Sequence, residues 1–181
     1  MTVALEAGMR QDTTPALLEI RGLSVEYSLG RTWVPILDDV SFEVRANEAL
    51  GLVGESGSGK TVTSLATMGL LPRNTRVTRG EILFEGRNLL AMSAAERRRL
   101  RGGEMAMIFQ DALRCLNPAF TVGDQIAESI RVHRGASRKE AMARAIELLE
   151  LVEIPDAKAK AAAYPHQLSG GMCQRVMIAM A

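Results

Sequence analysis

Eight residues, GESGSGKT (Gly54–Thr61), combine what a phosphate group needs from a protein: a backbone free to curve and a cation where the curve ends. They fit G-x-x-x-x-G-K-[ST], the spacing at which a glycine-rich turn opens a helix. Gly54, Gly57 and Gly59 let main-chain N–H groups converge as an anion nest, with Glu55, Ser56 and Ser58 filling the turn. The positive end of the following helix adds to that field. Lys60 is then placed to reach β- and γ-phosphates, and Thr61 to give its hydroxyl to Mg²⁺.

A second stretch, LSGGM (Leu168–Met172), begins another helix. Ser169 is its N-cap, and the N–H groups of Gly170 and Gly171 are open to close approach by an anion. Two glycines in a first turn cost about 1 kcal/mol each in helix stability, a cost an ordinary helix start avoids. Between the two stretches, Gln110 closes the apolar run EMAMIFQ, where ligand-contacting residues of open α/β sheets collect. Its carbonyl could orient a water or bind Mg²⁺; taken alone, it reads sooner as a polar residue at a strand edge.

These groups need elements to hold them. LLEIRGLSVEY (Leu17–Tyr27) and ILDDVSFEV alternate as half-buried strands, the second with Val40, Phe42 and Val44 on one face, and SLGRTWVP reads as the turn-rich connection. Ala49–Val53 is a short apolar strand of the kind buried in a parallel sheet, and EMAMIFQ, ending at Gln110, is another. Gly80–Gly86 is a further strand. KTVTSLATMGLL is a helix closed by Pro72, and a charged helix starts at Ser93 and stops at Gly102-Gly103. From Val122 the chain is helical. VGDQIAESIRVHR is amphipathic, and the next helix opens with Ser137 and Glu140 at capping-box spacing and carries the stripe Met142, Ala145, Ile146, Leu149 and Val152. Residues 1–16 read as a mobile tail. Strands, then strand–turn–helix, then a helical block indicate an α/β nucleotide-binding core with a helical subdomain.

Net charge is +1, from 22 Lys and Arg against 21 Asp and Glu, which gives no global attraction to nucleic acid. Arg97, Arg98, Arg99 and Arg101 read as a solvated helix face. Cys115 and Cys173 form no CxxC pair and fit free thiols in a reducing compartment. No apolar run approaches the roughly 20 residues of a membrane span, and the N-terminal residues, without a basic stretch followed by an apolar one, do not read as a secretory leader. His133 and His166 have no partners at catalytic or metal spacing.

Taken together and in this order, the phosphate loop, Gln110 and LSGGM resemble the ATP-binding subunit of an ABC transporter. Gly54–Thr61 is similar to its Walker A loop, Gln110 to its Q-loop glutamine and Leu168–Met172 to its signature motif. VGESGSGKT, MGLLP, IFQD, LNP, VGDQIAE and YPHQLSGGM resemble the oligopeptide, dipeptide and nickel importer branch. The resemblance implies an α/β fold with a P-loop NTPase core, a parallel sheet with an antiparallel β subdomain, plus a helical subdomain. Its expected divisions are 17–111, 112–168 and the start of the signature helix at 169–181. It implies ATP and Mg²⁺ as cofactors, with Tyr27 stacking on adenine (Trp33 the alternative), phosphate contacts from Gly54 to Thr61, and metal contacts from Thr61 and Gln110. It also implies a second ATP-binding subunit, identical or different, whose ATP meets Ser169, Gly170 and Gly171. Transmembrane permease subunits are the remaining partners, and the place is the cytoplasmic face of the cell membrane.

The sequence departs from the branch at Ala112–Cys115 and at Cys173, both expected near partner-facing surfaces. The family's Walker B strand ending in Asp-Glu, its D-loop and its switch histidine do not follow LSGGM. No residue for activating water is therefore identified, and Gln110 is a supporting group. This implies ATP binding with little turnover, poor stability alone and a stripe at Val176, Ala179 and Met180 that lacks part of its cover. Two other readings are a non-catalytic nucleotide-binding fragment and a soluble P-loop kinase using Asp111 for Mg²⁺.

Overall fold

The computed structural model describes residues 15–181. Chain contacts divide it into two compact units, one ending at Arg97 and the other running from Arg98 to Ala181.

In the first unit, alternation becomes two long strands, β1 (Ala16–Leu29) and β2 (Thr32–Arg45), joined by a turn at Gly30 and Arg31. β3 (Thr75–Phe84) pairs with the other edge of β1, and the short β4 (Arg87–Asn88) completes the order β2-β1-β3-β4, antiparallel throughout. Ile20, Leu23, Val25 and Ile82 are fully buried, each worth about 1.5–3 kcal/mol of transfer free energy. The β1–β2 ladder slips around Leu23–Val25. Side chains take over donors there: Ser24 Oγ accepts from the Asp39 N–H at 3.1 Å and Ser41 Oγ from the Gly22 N–H at 2.8 Å. α1 (Lys60–Thr67) follows the glycine-rich loop.

α2 (Ala94–Leu100) lies across the division, with Ser93 and Glu96 exchanging bonds at its start. The second unit continues with α3 (Ala112–Cys115), α4 (Val122–Arg134), α5 (Arg138–Leu151), α6 (Ala157–Lys160), a 3-10 turn at Pro165–Gln167, and α7 (Gly170–Met180). Its core joins Val122 and Ile126 of α4 to Ala141, Ala145 and Leu149 of α5 and to Cys173 and Val176 of α7, all fully buried. Ser137 and Glu140 form the expected capping box. The expected stripe on α5 faces this core, with Ala141 added to it.

Several expectations are corrected. Ala49–Val53 and the run ending at Gln110 pair in no sheet; the latter touches only a single bridge, Arg101 to Met105. Parallel strands take their ladders from chain segments far away, and among the described residues neither run has such a neighbour. Val53 is 87% exposed, and Ile108 and Phe109 are exposed as well. The turn read over SLGRTWVP shrinks to Gly30-Arg31, because Trp33, Val34 and Pro35 pair with Ser28, Tyr27 and Glu26. Of the tail expected at 1–16, Ala16 opens β1 and residues 1–14 lie outside the described residues. Of the stripe at Val176, Ala179 and Met180, the first two are buried in the helical core and Met180 is half-buried against it. Cys173 is not at a surface either. It is fully buried, its thiol donates to the Pro165 carbonyl at 3.5 Å, and burial pushes its pKa up.

Candidate phosphate-binding site

The loop Gly54–Thr61 closes around its own lysine. Lys60 Nζ donates to the carbonyls of Gly54 (2.7 Å) and Glu55 (2.8 Å) and to Ser58 Oγ (3.1 Å), so a cation sits inside the curve. Gly59 ends the loop in a left-handed conformation, φ 94°, and caps α1 without a side chain. The first N–H groups of a helix have no intrahelical carbonyl to bond. Here no side-chain oxygen takes them, and no acidic residue stands in the first turn to compete with an anion. Thr61 is exposed on that turn. Thr63 is buried, with its hydroxyl donating to the Gly59 carbonyl at 3.0 Å, which secures the helix to the loop's last residue.

Two constraints make position 59 a glycine. A side chain would be strained at that φ, and its Cβ would run into Leu37 Cδ2 from β2. Leu37 thus sets where the loop turns into helix. A cavity of about 750 Å³ lies alongside, lined by Leu37, Val40, Leu52, Ser58, Lys60 and Thr63 among others.

The register separates the two aromatic candidates. Tyr27 shares a face of β1 with Val25, whose partner on β2 is Leu37, the residue under the loop. Trp33 pairs with Ser28, one residue on, and so faces the other way. There Arg76 lies over the indole, 4.0 Å from the ring centroid, while pairing with Glu26 at 2.7 Å. Tyr27 and Trp33 are each 37% exposed, so orientation rather than accessibility distinguishes them.

The remaining candidates belong to the second unit. Gln110 is exposed, in a segment without strand pairing. Asp111 is engaged locally as the cap of α3: it accepts from the Arg114 N–H at 3.3 Å and pairs with Arg114 Nε at 3.1 Å. That use of its carboxylate removes support from a Mg²⁺ role. Ser169 caps α7, its hydroxyl accepting the Met172 N–H at 3.3 Å, while the Cys173 N–H bonds the Ser169 carbonyl. Gly170 and Gly171 stand exposed at this helix start. His166 stacks on Tyr164, with centroids 5.7 Å apart. Among the described residues no three His, Cys, Asp or Glu side chains gather as a metal site, and no helix is long and apolar enough to cross a membrane.

Sequence reading missed Leu37, Gln125 and Arg175. Gln125 is buried on α4 and holds the turn after α3: Nε2 donates to the carbonyls of Asn117 (3.0 Å) and Phe120 (3.1 Å), and Oε1 accepts from the Asn117 N–H (2.8 Å). Only the presence of a long amide on an otherwise apolar helix face could have signalled it.

Comparison with known proteins bears on all of this. The ABC transporter family model matches residues 37–181. The chain is 50% identical over 166 residues to the dipeptide transport ATP-binding protein DppD of Escherichia coli, covering 92% of this chain and 51% of that protein. For the protein of the same name in Haemophilus influenzae the identity is 49%, again over 92% of this chain and 50% of the relative. A putative peptide import ATP-binding protein of Brucella abortus is 44% identical over all of this chain and 52% of its own length. The chain therefore spans about half the length of the curated relatives it matches. Among solved structures, the ATP-binding cassette MJ0796, in a dimeric post-hydrolysis state bound to ADP and Pi, superimposes with a TM-score of 0.78. The identity is 27%, over 90% of this chain and 68% of that one. The α/β cassette fold class expected from the motifs is the class of these neighbours, and its β and helical parts are both present.

Proposed function

The chain belongs to the ABC transporter family, and from that premise we propose that it is the ATP-binding, energy-coupling part of a peptide importer. The observation that carries this reading is the loop Gly54–Thr61, with Lys60 held inside its curve and the start of α1 left uncapped. The relatives named for dipeptide or peptide import point to the solute.

In this proposal residues 17–181 form part of an ATP-binding domain. The N–H groups of Gly57, Gly59 and Lys60 and the Lys60 ammonium hold the β- and γ-phosphates. Tyr27 supplies the adenine platform, favoured over Trp33 by its face of the sheet. Among the described residues no three His, Cys, Asp or Glu side chains gather, which fits Mg²⁺ only as an ion held largely by phosphate oxygens and water, with the Thr61 hydroxyl and the Gln110 amide oxygen as the protein ligands of this proposal. Once bound, the ion would neutralise phosphate charge. Ser169, Gly170 and Gly171 contact the ATP of a second subunit, as expected of two cassettes facing each other. Permease subunits complete the assembly at the cytoplasmic face of the membrane.

Within these 181 residues no group is identified that would activate the attacking water. Phosphoryl transfer requires an oriented nucleophile as well as bound phosphate. A polypeptide of these 181 residues should thus bind ATP with little or no turnover. Titration with a fluorescent ATP analogue tests both halves. Binding should be saturable in the parent and lost in Lys60→Ala, with no phosphate release above the Lys60→Ala background. Equal binding by the two proteins would sink the assignment of the loop, and release dependent on Lys60 would sink the turnover statement.

A further inference from the structure

α5 ends without a cation of its own. No basic residue stands in its last turn, and the chain beyond it bends through Glu153 in a left-handed conformation, φ 58°. The chain satisfies part of this helix end itself: the Val152 N–H bonds the Leu148 and Glu150 carbonyls, Glu153 N–H the Glu150 carbonyl, and Ile154 N–H the Leu149 carbonyl. The carbonyls of Val152 and Glu153 project past the end, where helix dipoles favour positive charge. Arg175 of α7 takes both. Its Nη1 donates to Glu153 O at 2.8 Å and to Val152 O at 3.3 Å.

This contact sits little more than one turn from the start of α7. Through one guanidinium nitrogen it ties that helix to the end of α5, 22 residues back in the chain. On the other side, Cys173 anchors α7 to Pro165. With the packing of Cys173, Val176, Met177 and Ala179 into the helical core, the two contacts constrain the rotation and axial position of α7, and hence the direction in which the Gly170 and Gly171 N–H groups point. The Glu153 carboxylate adds little: it lies 3.8 Å from the guanidinium and is 86% exposed, so its ion pair is screened by water.

We propose that Arg175 is a positioning residue for the Ser169–Gly171 helix start, acting through the carbonyls of Val152 and Glu153. The inference rests on the reading of that start as a contact for a second subunit's ATP. Loss of Arg175 then disturbs presentation of α7 without touching the phosphate loop. ATP hydrolysis falls while the intrinsic affinity of the loop stays the same. General damage to the fold lowers both together.

The test uses the full-length gene product, purified as an assembly that hydrolyses ATP, with kcat measured beside the affinity of the isolated subunit for a fluorescent ATP analogue. Arg175→Ala should lower kcat about tenfold, with affinity within twofold of the parent. Arg175→Lys, whose ammonium sits on a shorter stem than the guanidinium nitrogen that makes both bonds, should lower kcat about threefold. Glu153→Gln, which keeps both carbonyls, should behave as the parent. The inference is overturned if both Arg175 variants keep kcat within twofold of the parent, or if affinity falls in step with kcat. Should Arg175→Ala fail to fold, Arg175→Lys decides on the same criterion. Lys60→Ala and Gly170→Asp run alongside. If they abolish hydrolysis while the Arg175 variants do not, only the Arg175 inference fails; if they too leave it unchanged, the ATP-cassette reading fails with it.

Discussion

Leu37 on β2 occupies the space that a side chain on Gly59 would need, so a strand of the antiparallel sheet determines the residue at which the glycine-rich loop turns into α1. The contact joins two elements more than twenty residues apart and places the start of α1 against the sheet.

Gly59→Ala should therefore be damaged twice, by a φ of 94° and by collision with Leu37. The backbone strain alone is about 1–3 kcal/mol. Leu37→Ala makes room but leaves the strain, so Gly59→Ala/Leu37→Ala should recover only part of the lost ATP affinity. Full recovery in a double-mutant cycle would show that the contact, and not the backbone, requires glycine.

The proposed adenine platform yields a contrast between two equally exposed aromatics. Stacking on a base is worth about 1–3 kcal/mol, so Tyr27→Ala should weaken ATP about tenfold. Trp33→Ala removes only the seat of Arg76 on the opposite face and should leave ATP affinity as it was. Titration with ATP and with inorganic triphosphate checks the origin of the effect: the Tyr27 loss should appear with ATP alone.

Gln125 satisfies three backbone groups of the 117–120 turn from inside the helical core. Gln125→Leu keeps the volume and removes every one of those bonds, at a cost of about 1–3 kcal/mol for each polar group left buried. The thermal midpoint should drop while ATP affinity stays within about twofold. An unchanged midpoint would mean that water replaces the amide without penalty.

Glu140 gives a pH dependence of known sign. Hydrogen bonds from Ser137, first its side chain and then its backbone, hold the carboxyl below its ordinary value of 4.5. A depressed folded-state pKa contributes stability that is present above the unfolded value and lost as pH falls through the folded one. The midpoint difference between the parent and Glu140→Gln should be widest near neutrality and should close as the pH is lowered below 4.5. A difference independent of pH would place the contribution in packing rather than in the capping box.

Features confined to a few consecutive residues were legible before any coordinates. The loop spacing at 54–61, the box at Ser137 and Glu140 and the cap at Ser169 each depend on groups three to seven residues apart, and the structure forms them where the pattern places them. The strands β1 and β2 were legible because burial on one face imposes alternation. Ala49–Val53 and the run before Gln110 were misread for the converse reason. An apolar run states that it favours burial, but a parallel strand exists only when another segment supplies its ladder.

By itself, then, the sequence determined the family, the glycine-rich loop that opens α1 and the Ser169 cap that opens α7, because each is written in local spacing. The tertiary structure alone decided that Leu37 sets the loop, that Tyr27 and not Trp33 shares its face, that Cys173 is buried, and that Gln125 and Arg175 hold backbone carbonyls from other elements. Those outcomes depend on strand register and helix packing. Both are settled by burial and hydrogen bonding between residues far apart in the chain, where no spacing along the sequence records them.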